Sequence, residues 1–425
     1  VGIEPLWAAM CEGRSAIRRI SRFDPSGFPC QIGAELTDEM FDVKSVVPKS
    51  YRKATKVMAR DIELAVGGAA AGVADAGLTT KAVNPDAPPT IPAERFGCHI
   101  GAGLIAADVD ELTAALVTSR SESGEFDLAH WGHAGMSNLT PLWLLKYLPN
   151  MLACHVTIIH DCRGPSNTIT CAEASAALSV GESLRVIQRN AADACLSGGA
   201  EFKLNPMGLL RQVFAGRLAK ANGAVDPATV VKPFDPAASG SVLGEGGGIL
   251  VLEALDTATA RGAKPYAEIT GFAATQSHCP DTAGLEIEND GESIADAMEA
   301  AMTLAGVGPD DIDAIAPLGS GIAAIDSAEA AAVRRVFGNR AAAVPLITVI
   351  PNVGNCCAGA SAIPLAVAAK AIREQKLPAR MNTTAAKGVD ANAAPARPAK
   401  LRNVLVSVCG MGGQNAAVVL KKLES

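Results

Sequence analysis

Ala194-Cys-Leu-Ser-Gly-Gly-Ala200 is an apolar run of strand length that ends on paired glycines, and Gly248-Ile-Leu-Val-Leu-Glu253 has the same character downstream. Phe96-Gly-Cys-His-Ile-Gly-Ala-Gly103, Val404-Leu-Val-Ser-Val-Cys-Gly410 and Ala416-Ala-Val-Val-Leu420 belong with them. Short continuous apolar runs bounded by glycine predict strands buried on both faces. Between them lie segments with apolar residues at helical spacing: Lys56 to Ala76, Ser175 to Arg189, Ile294 to Leu304, Ser327 to Phe337 and Ala360 to Glu374. Strands alternating with helices make this an α/β chain. Arg120 to Asn138, rich in Ser, Gly and His, reads as a loop, and so does Thr383 to Lys400. A boundary falls near Leu255 to Lys264, where a strand ends and a short helical linker precedes Pro265.

Composition narrows the function classes. With 49% apolar and 19% charged residues over 425 positions, the chain can bury a large core. The net charge of -7 argues against a nucleic-acid partner, which calls for a basic face. No apolar run reaches the ~18 residues of a membrane span; the longest, Ala358 to Ala369, is interrupted by Pro364. The opening Val-Gly-Ile-Glu has neither the basic nor the apolar region of a signal peptide. Eleven cysteines without CxxC spacing read as reduced thiols of a cytoplasmic protein, with no metal and no cofactor expected.

Four local motifs carry more than one reading. Gly244-Glu-Gly-Gly-Gly248 lacks the following helix and distant acid of a nucleotide cradle, so close backbone packing is the better account. His130 and His133 have no third ligand nearby and read as a surface loop. Lys49, Arg52 and Lys53, followed by Lys56 and Arg60, are either a solvated helix start or a docking patch for an acidic partner. In Thr170-Cys-Ala-Glu-Ala-Ser175, which follows a strand and opens a helix, Glu173 is either a residue placed for reaction or a first-turn carboxylate.

Taken together, the motifs resemble the β-ketoacyl-acyl-carrier-protein synthases of the elongating type. The matching pieces are Arg163-Gly-Pro-Ser166, Ala192-Asp-Ala-Cys-Leu-Ser-Gly-Gly-Ala-Glu201, and Lys232-Pro-Phe-Asp-Pro-Ala-Ala-Ser-Gly-Ser-Val-Leu-Gly-Glu-Gly246. Asp326-Ser-Ala-Glu-Ala330, Arg335-Val-Phe-Gly338 and Gly410-Met-Gly-Gly-Gln-Asn415 complete them. The resemblance covers nearly the whole chain. It implies a thiolase-like fold: two pseudo-symmetric halves, residues 1–255 and 256–425, in a five-layered α-β-α-β-α sandwich. In the family a strand and turn normally precede the position of Trp7; that piece is missing here, so the chain reads as trimmed at its start. The resemblance also implies a dimer joined through the strand that follows Asp193. Lys49, Arg52 and Lys53 match a basic motif that receives the acyl carrier protein in some members, and Arg217 matches a basic residue at the entrance.

Chemistry in that family needs a cysteine at a helix start, two histidines that stabilise an enolate, and a lysine. Alignment on the quoted motifs places Glu173 at the cysteine, Leu318 and Asn355 at the two histidines, and Ile350 at the lysine. All four are changed. The six histidines of the chain end at His278, so no shift of register restores the two that the family carries in its C-terminal half. Such losses resemble the chain-length-factor subunits, which are homologues paired with an active synthase. The expectation is a non-condensing subunit that dimerises with itself or with a ketosynthase and shapes an acyl pocket lined by Met411, Cys171 and Ser175. Two alternatives stay open at this point. Glu173, with a pKa raised by an apolar pocket, would act as a general acid or base on an acyl thioester; or Cys171, Cys356 or Cys357 would serve as a displaced nucleophile.

Overall fold

The computed structural model describes residues 1–223, 225–279, 287–288 and 290–424. Among the described residues, β1 (Phe96–Gly101), β2 (Ser166–Ile169), β3 (Ala194–Glu201) and β4 (Gly246–Glu253) form one sheet in the order β2-β1-β3-β4. A second sheet, ordered β5-β8-β7-β6, holds β5 (Glu268–Gln276), β6 (Ala314–Pro317), β7 (Asn403–Cys409) and β8 (Gln414–Lys421). The glycine-bounded runs all became strands. β1 and β3 are buried along their whole length, which is why they read as continuous apolar runs and not as alternation.

The two sheets are built alike. β3 lies parallel to β1 and antiparallel to β4. β7 stands in the same relation to β6 and β8. Where β2 continues the first sheet beyond β1, Leu346 bridges Ile315 in parallel beyond β6. β5, antiparallel to β8, extends the second sheet on its other side.

Helices sandwich the sheets. α1 (Arg60–Asp75) and α2 (Met151–His160) cover the outer face of the first sheet. α3 (Ser175–Gln188) and, late in the chain, α6 (Ala362–Glu374) lie between the sheets and touch both. α4 (Glu292–Ala305) and α5 (Ala323–Phe337) close the far side. This is the expected five-layered thiolase-like sandwich. Its middle layer is tight: a Cβ on Gly181 of α3 would stand 2.1 Å from the Phe272 ring of β5. One on Gly247 (φ 147°) would stand 2.1 Å from the Gly199 carbonyl, so the Gly244–Gly248 run serves close strand packing. Pro364, which interrupts the longest apolar run, falls in the first turn of α6, where a missing N–H is tolerated.

Three expectations are corrected. The strand after Asp193 is β3, hydrogen-bonded within the chain on both sides, so it has no free edge to pair across an interface. The edges of this sheet are β2 and β4. The helix expected from Lys56 starts at Arg60; Lys49–Val57 is 3-10 helix, and the regular helix begins where Asp61 and Glu63 complement its N-terminal dipole. The Arg120–Asn138 loop contains a short helix, Leu128–His133, capped by Asp127. His130 and His133 are exposed on it.

Candidate functional site

β2 ends just before Cys171, and the chain turns sharply into α3. Ala172 is left-handed (φ 46°), a conformation that costs a non-glycine residue about 1–2 kcal/mol. Ser175 clasps the turn: its hydroxyl donates to the Ala172 carbonyl at 2.6 Å and accepts the Cys171 N–H at 2.8 Å. Ser175 is fully buried and both capacities of its hydroxyl serve the backbone, so it shapes the turn and does not line an open acyl pocket. The turn aims Glu173 inward, leaving it 3% exposed.

The Glu173 carboxylate is fully engaged. Arg217 Nη2 pairs with Oε1, the Asn355 amide donates to the same oxygen at 3.0 Å, and the Met411 N–H donates to Oε2 at 2.9 Å. Burial pushes the carboxyl up, but the Arg217 guanidinium, the Met411 N–H and the Asn355 amide outweigh it and hold its pKa below the usual value. The expectation of a raised pKa is therefore overturned: the pocket supplies a cation. The same contact corrects Arg217. Read as a basic residue at an exposed entrance, it is 5% exposed and ion-paired with Glu173. A buried guanidinium needs a counter-charge, and Glu173 supplies it.

Asn355 therefore meets Glu173 directly, and its own carbonyl oxygen accepts the Cys357 N–H at 2.8 Å. Leu318 and Ile350 are fully buried in the main core and offer no side-chain hydrogen bond. The backbone around Leu318 is held by two carboxylates of α5. Glu329 accepts the N–H groups of Leu318 and Gly319, both at 2.9 Å. Asp326 accepts those of Ser320, Gly321 and Phe234 at 2.8, 3.0 and 2.8 Å. Burial raises Glu329 to about 8, with Asp326 adding to it. Burial likewise raises Asp326 to about 6 against those three N–H donors. The signal for this clamp lay in Asp326-Ser-Ala-Glu329, whose spacing sets both acids on one face of a helix.

The three cysteines do not make good nucleophiles. Burial raises all of their thiols, Cys356 to about 12. A second charged cluster escaped the sequence reading. Lys203 pairs with Glu201 and donates to the Leu104 carbonyl at 2.6 Å, while Asp61 of α1 accepts the Phe202 N–H at 3.0 Å. Burial, with Glu201 adding to it, raises Asp61 to about 7. Glu201 and Lys203 are two residues apart, but Asp61 lies about 140 residues upstream, and no local pattern links the three. At the surface, Lys49, Arg52, Lys53 and Lys56 are exposed, whereas Arg60 turns in to bind Glu245 and Glu63. Met411 and Cys171 are half-buried beside Glu173. Among the described residues, no three His, Cys, Asp or Glu side chains are grouped to hold a metal, and no helix is long and apolar enough to cross a membrane.

Known proteins share this architecture. The chain is 30% identical to 3-oxoacyl-[acyl-carrier-protein] synthase 2 of Coxiella burnetii, over 99% of its own length and 95% of the relative's. It is also 30% identical, with the same coverage, to the tetracenomycin polyketide synthase ketoacyl synthase beta subunit of Streptomyces glaucescens. The solved ishigamide ketosynthase/chain length factor superposes with a TM-score of 0.82 at 26% identity, over all of this chain and 96% of that one. Residues 1–258 match the β-ketoacyl synthase N-terminal domain and residues 266–384 the C-terminal domain, so the chain belongs to the β-ketoacyl synthase family.

Proposed function

We propose that this chain is a non-condensing member of the family, acting as a chain-length-factor-like subunit of fatty-acid or polyketide synthesis. The observation that carries this reading is the state of Glu173. At the position that the resemblance gives to the cysteine stands a carboxylate locked by Arg217, Asn355 and Met411. It offers no thiol, and with both oxygens engaged and its pKa lowered it is neither an acid at neutral pH nor an open base. Leu318 and Ile350 supply neither a donor for an enolate nor a cation. The general acid–base alternative for Glu173 therefore loses its support.

Assembly follows from two features of the first half. β2 has an open edge, and the segment 104–144 exposes large apolar residues, among them Leu104, Val117, Phe126, Leu128, Leu142 and Leu144. In our reading the two halves, 1–255 and 256–425, form one cytoplasmic subunit that pairs through this face with an active ketosynthase, or with itself, and lends its surface to an acyl pocket. The exposed Lys49, Arg52 and Lys53 receive the acidic carrier protein. The test is co-expression with a ketosynthase encoded beside it, followed by light scattering and a malonyl-dependent assay of CO2 release. A co-purifying pair whose product length changes when this chain is replaced supports the reading. Condensation by the chain alone, or a stable monomer that ignores the synthase at micromolar concentration, overturns it.

Docking has its own expected outcome. Each exposed charge pair contributes about 1 kcal/mol or less, so the three cations must be reversed together. Lys49→Glu/Arg52→Glu/Lys53→Glu should abolish carrier-protein binding measured at low salt while leaving thermal stability unchanged. Binding that survives the reversal returns the patch to a solvated helical segment.

A further inference from the structure

Three donors converge on Glu173 from segments remote in sequence, and the backbone of each is held independently of the carboxylate. The Arg217 carbonyl accepts the Ser241 N–H at 2.9 Å and its N–H donates to the Gln212 carbonyl at 3.2 Å. The Asn355 side chain is oriented by the Cys357 N–H, and Asn355 is tied through its backbone to Val242 and Gly244. Met411 sits in a turn closed by hydrogen bonds from the Gly410 N–H to Gln414 and from the Gly413 N–H to Gly410. A guanidinium carried on a held backbone, an oriented amide and a fixed backbone N–H present a charge-assisted, two-sided fit for a carboxylate.

We propose that Arg217, Asn355 and the Met411 N–H form a built carboxylate-binding site that the chain fills with its own Glu173, and that the emptied site takes a small monocarboxylate from solution. Truncating Glu173 to alanine removes its Cγ and its carboxylate group. Acetate replaces those atoms one for one. The site is 3–5% exposed at Glu173, Arg217 and Asn355, so a guest there gains the low-dielectric contact with Arg217 that the tethered side chain now makes. The fit depends neither on a partner subunit nor on an acyl chain.

The experiment is thermal unfolding of Glu173→Ala across an acetate titration at constant ionic strength, with sodium chloride making up the difference. The variant should unfold at a lower temperature than wild type, because Arg217 is left buried and unpaired. Acetate should raise its Tm saturably by about 2 °C or more, butyrate should do so far less, and neither should act on wild type. The double variant Glu173→Ala/Arg217→Met should lose the acetate response. No rise beyond the chloride control, or an equal rise in wild type, overturns the proposal. Should Glu173→Ala not accumulate in soluble form, Glu173→Ser, which leaves nearly the same void, is judged by the same titration.

Discussion

In the proposed role, Glu173 stands ionised at the position where a condensing enzyme needs a thiol, and this limits what one substitution can restore. On the proposed reading, Glu173→Cys places a thiol at the start of α3, where it is expected to take an acyl group from a reactive thioester. Carbon–carbon bond formation should still fail. Losing one oxyanion donor typically costs about 10²–10³ in rate, and Leu318 offers none, while Asn355 is a neutral amide. Intact mass should show acylated protein, and malonyl-dependent CO2 release should stay at background; multiple turnovers would show catalytic groups elsewhere in the pocket. A second residue-level outcome concerns Asp61. Its folded pKa is about 7 against an ordinary 3.8, so the native state holds a proton that the unfolded chain has lost between those values. Stability from this group therefore falls as pH rises from about 4 to 7 and is level above that. Asp61→Asn keeps an acceptor for the Phe202 N–H, so urea denaturation should show its advantage over wild type growing across that window and then constant. Glu173 could be found in the sequence because a motif put it at a helix start. Arg217 was found only as a basic residue at the entrance: its pairing could not be read until the fold brought it against a carboxylate 44 residues away.

Elements were legible where local pattern and tertiary burial agree. α3, α4 and α6 lie within a few residues of the segments their spacing predicts, and the glycine-bounded strands fall where they were expected. β5 and β6 were not anticipated. Glu268–Gln276 mixes half-buried polar and small residues, and Ala314–Pro317 is four residues long, so neither stands out from loop. Pairing partners were less legible still, since no local pattern shows which strand lies at an edge. β2 is one such edge, and its geometry gives a test. The Cys98 N–H donates to the Pro165 carbonyl and the Ala102 N–H to that of Ile169, both at 3.0 Å, so the alternate position Thr168 faces away from β1. Thr168→Pro removes an outward N–H, which donates to the Asn167 side chain at 2.8 Å, and leaves that internal ladder alone. The expected outcome is a folded protein with unchanged circular dichroism that elutes as a monomer. A variant still dimeric by light scattering would move the interface away from this edge.

Across the whole molecule, the likeness of the two halves was legible only through the family motifs; strand order and direction, repeated from one sheet to the other, show it in the fold. The site lies where the halves meet, with Glu173 from the first and Asn355 and Met411 from the second, which is why no single stretch announces it. The Leu318–Gly321 segment bears on how such a molecule opens. It belongs to no helix or strand, yet its four consecutive amides donate to Glu329 and Asp326, fully buried acids of α5. Hydrogen exchange in these amides requires breaking the contact between loop and helix, and that helix is packed into the core. They should exchange with deuterated solvent as slowly as those of β7, hours behind ordinary connecting segments, although nothing in their conformation distinguishes them from a mobile turn. Fast exchange there would mean that the loop opens on its own, independently of the sheets it joins.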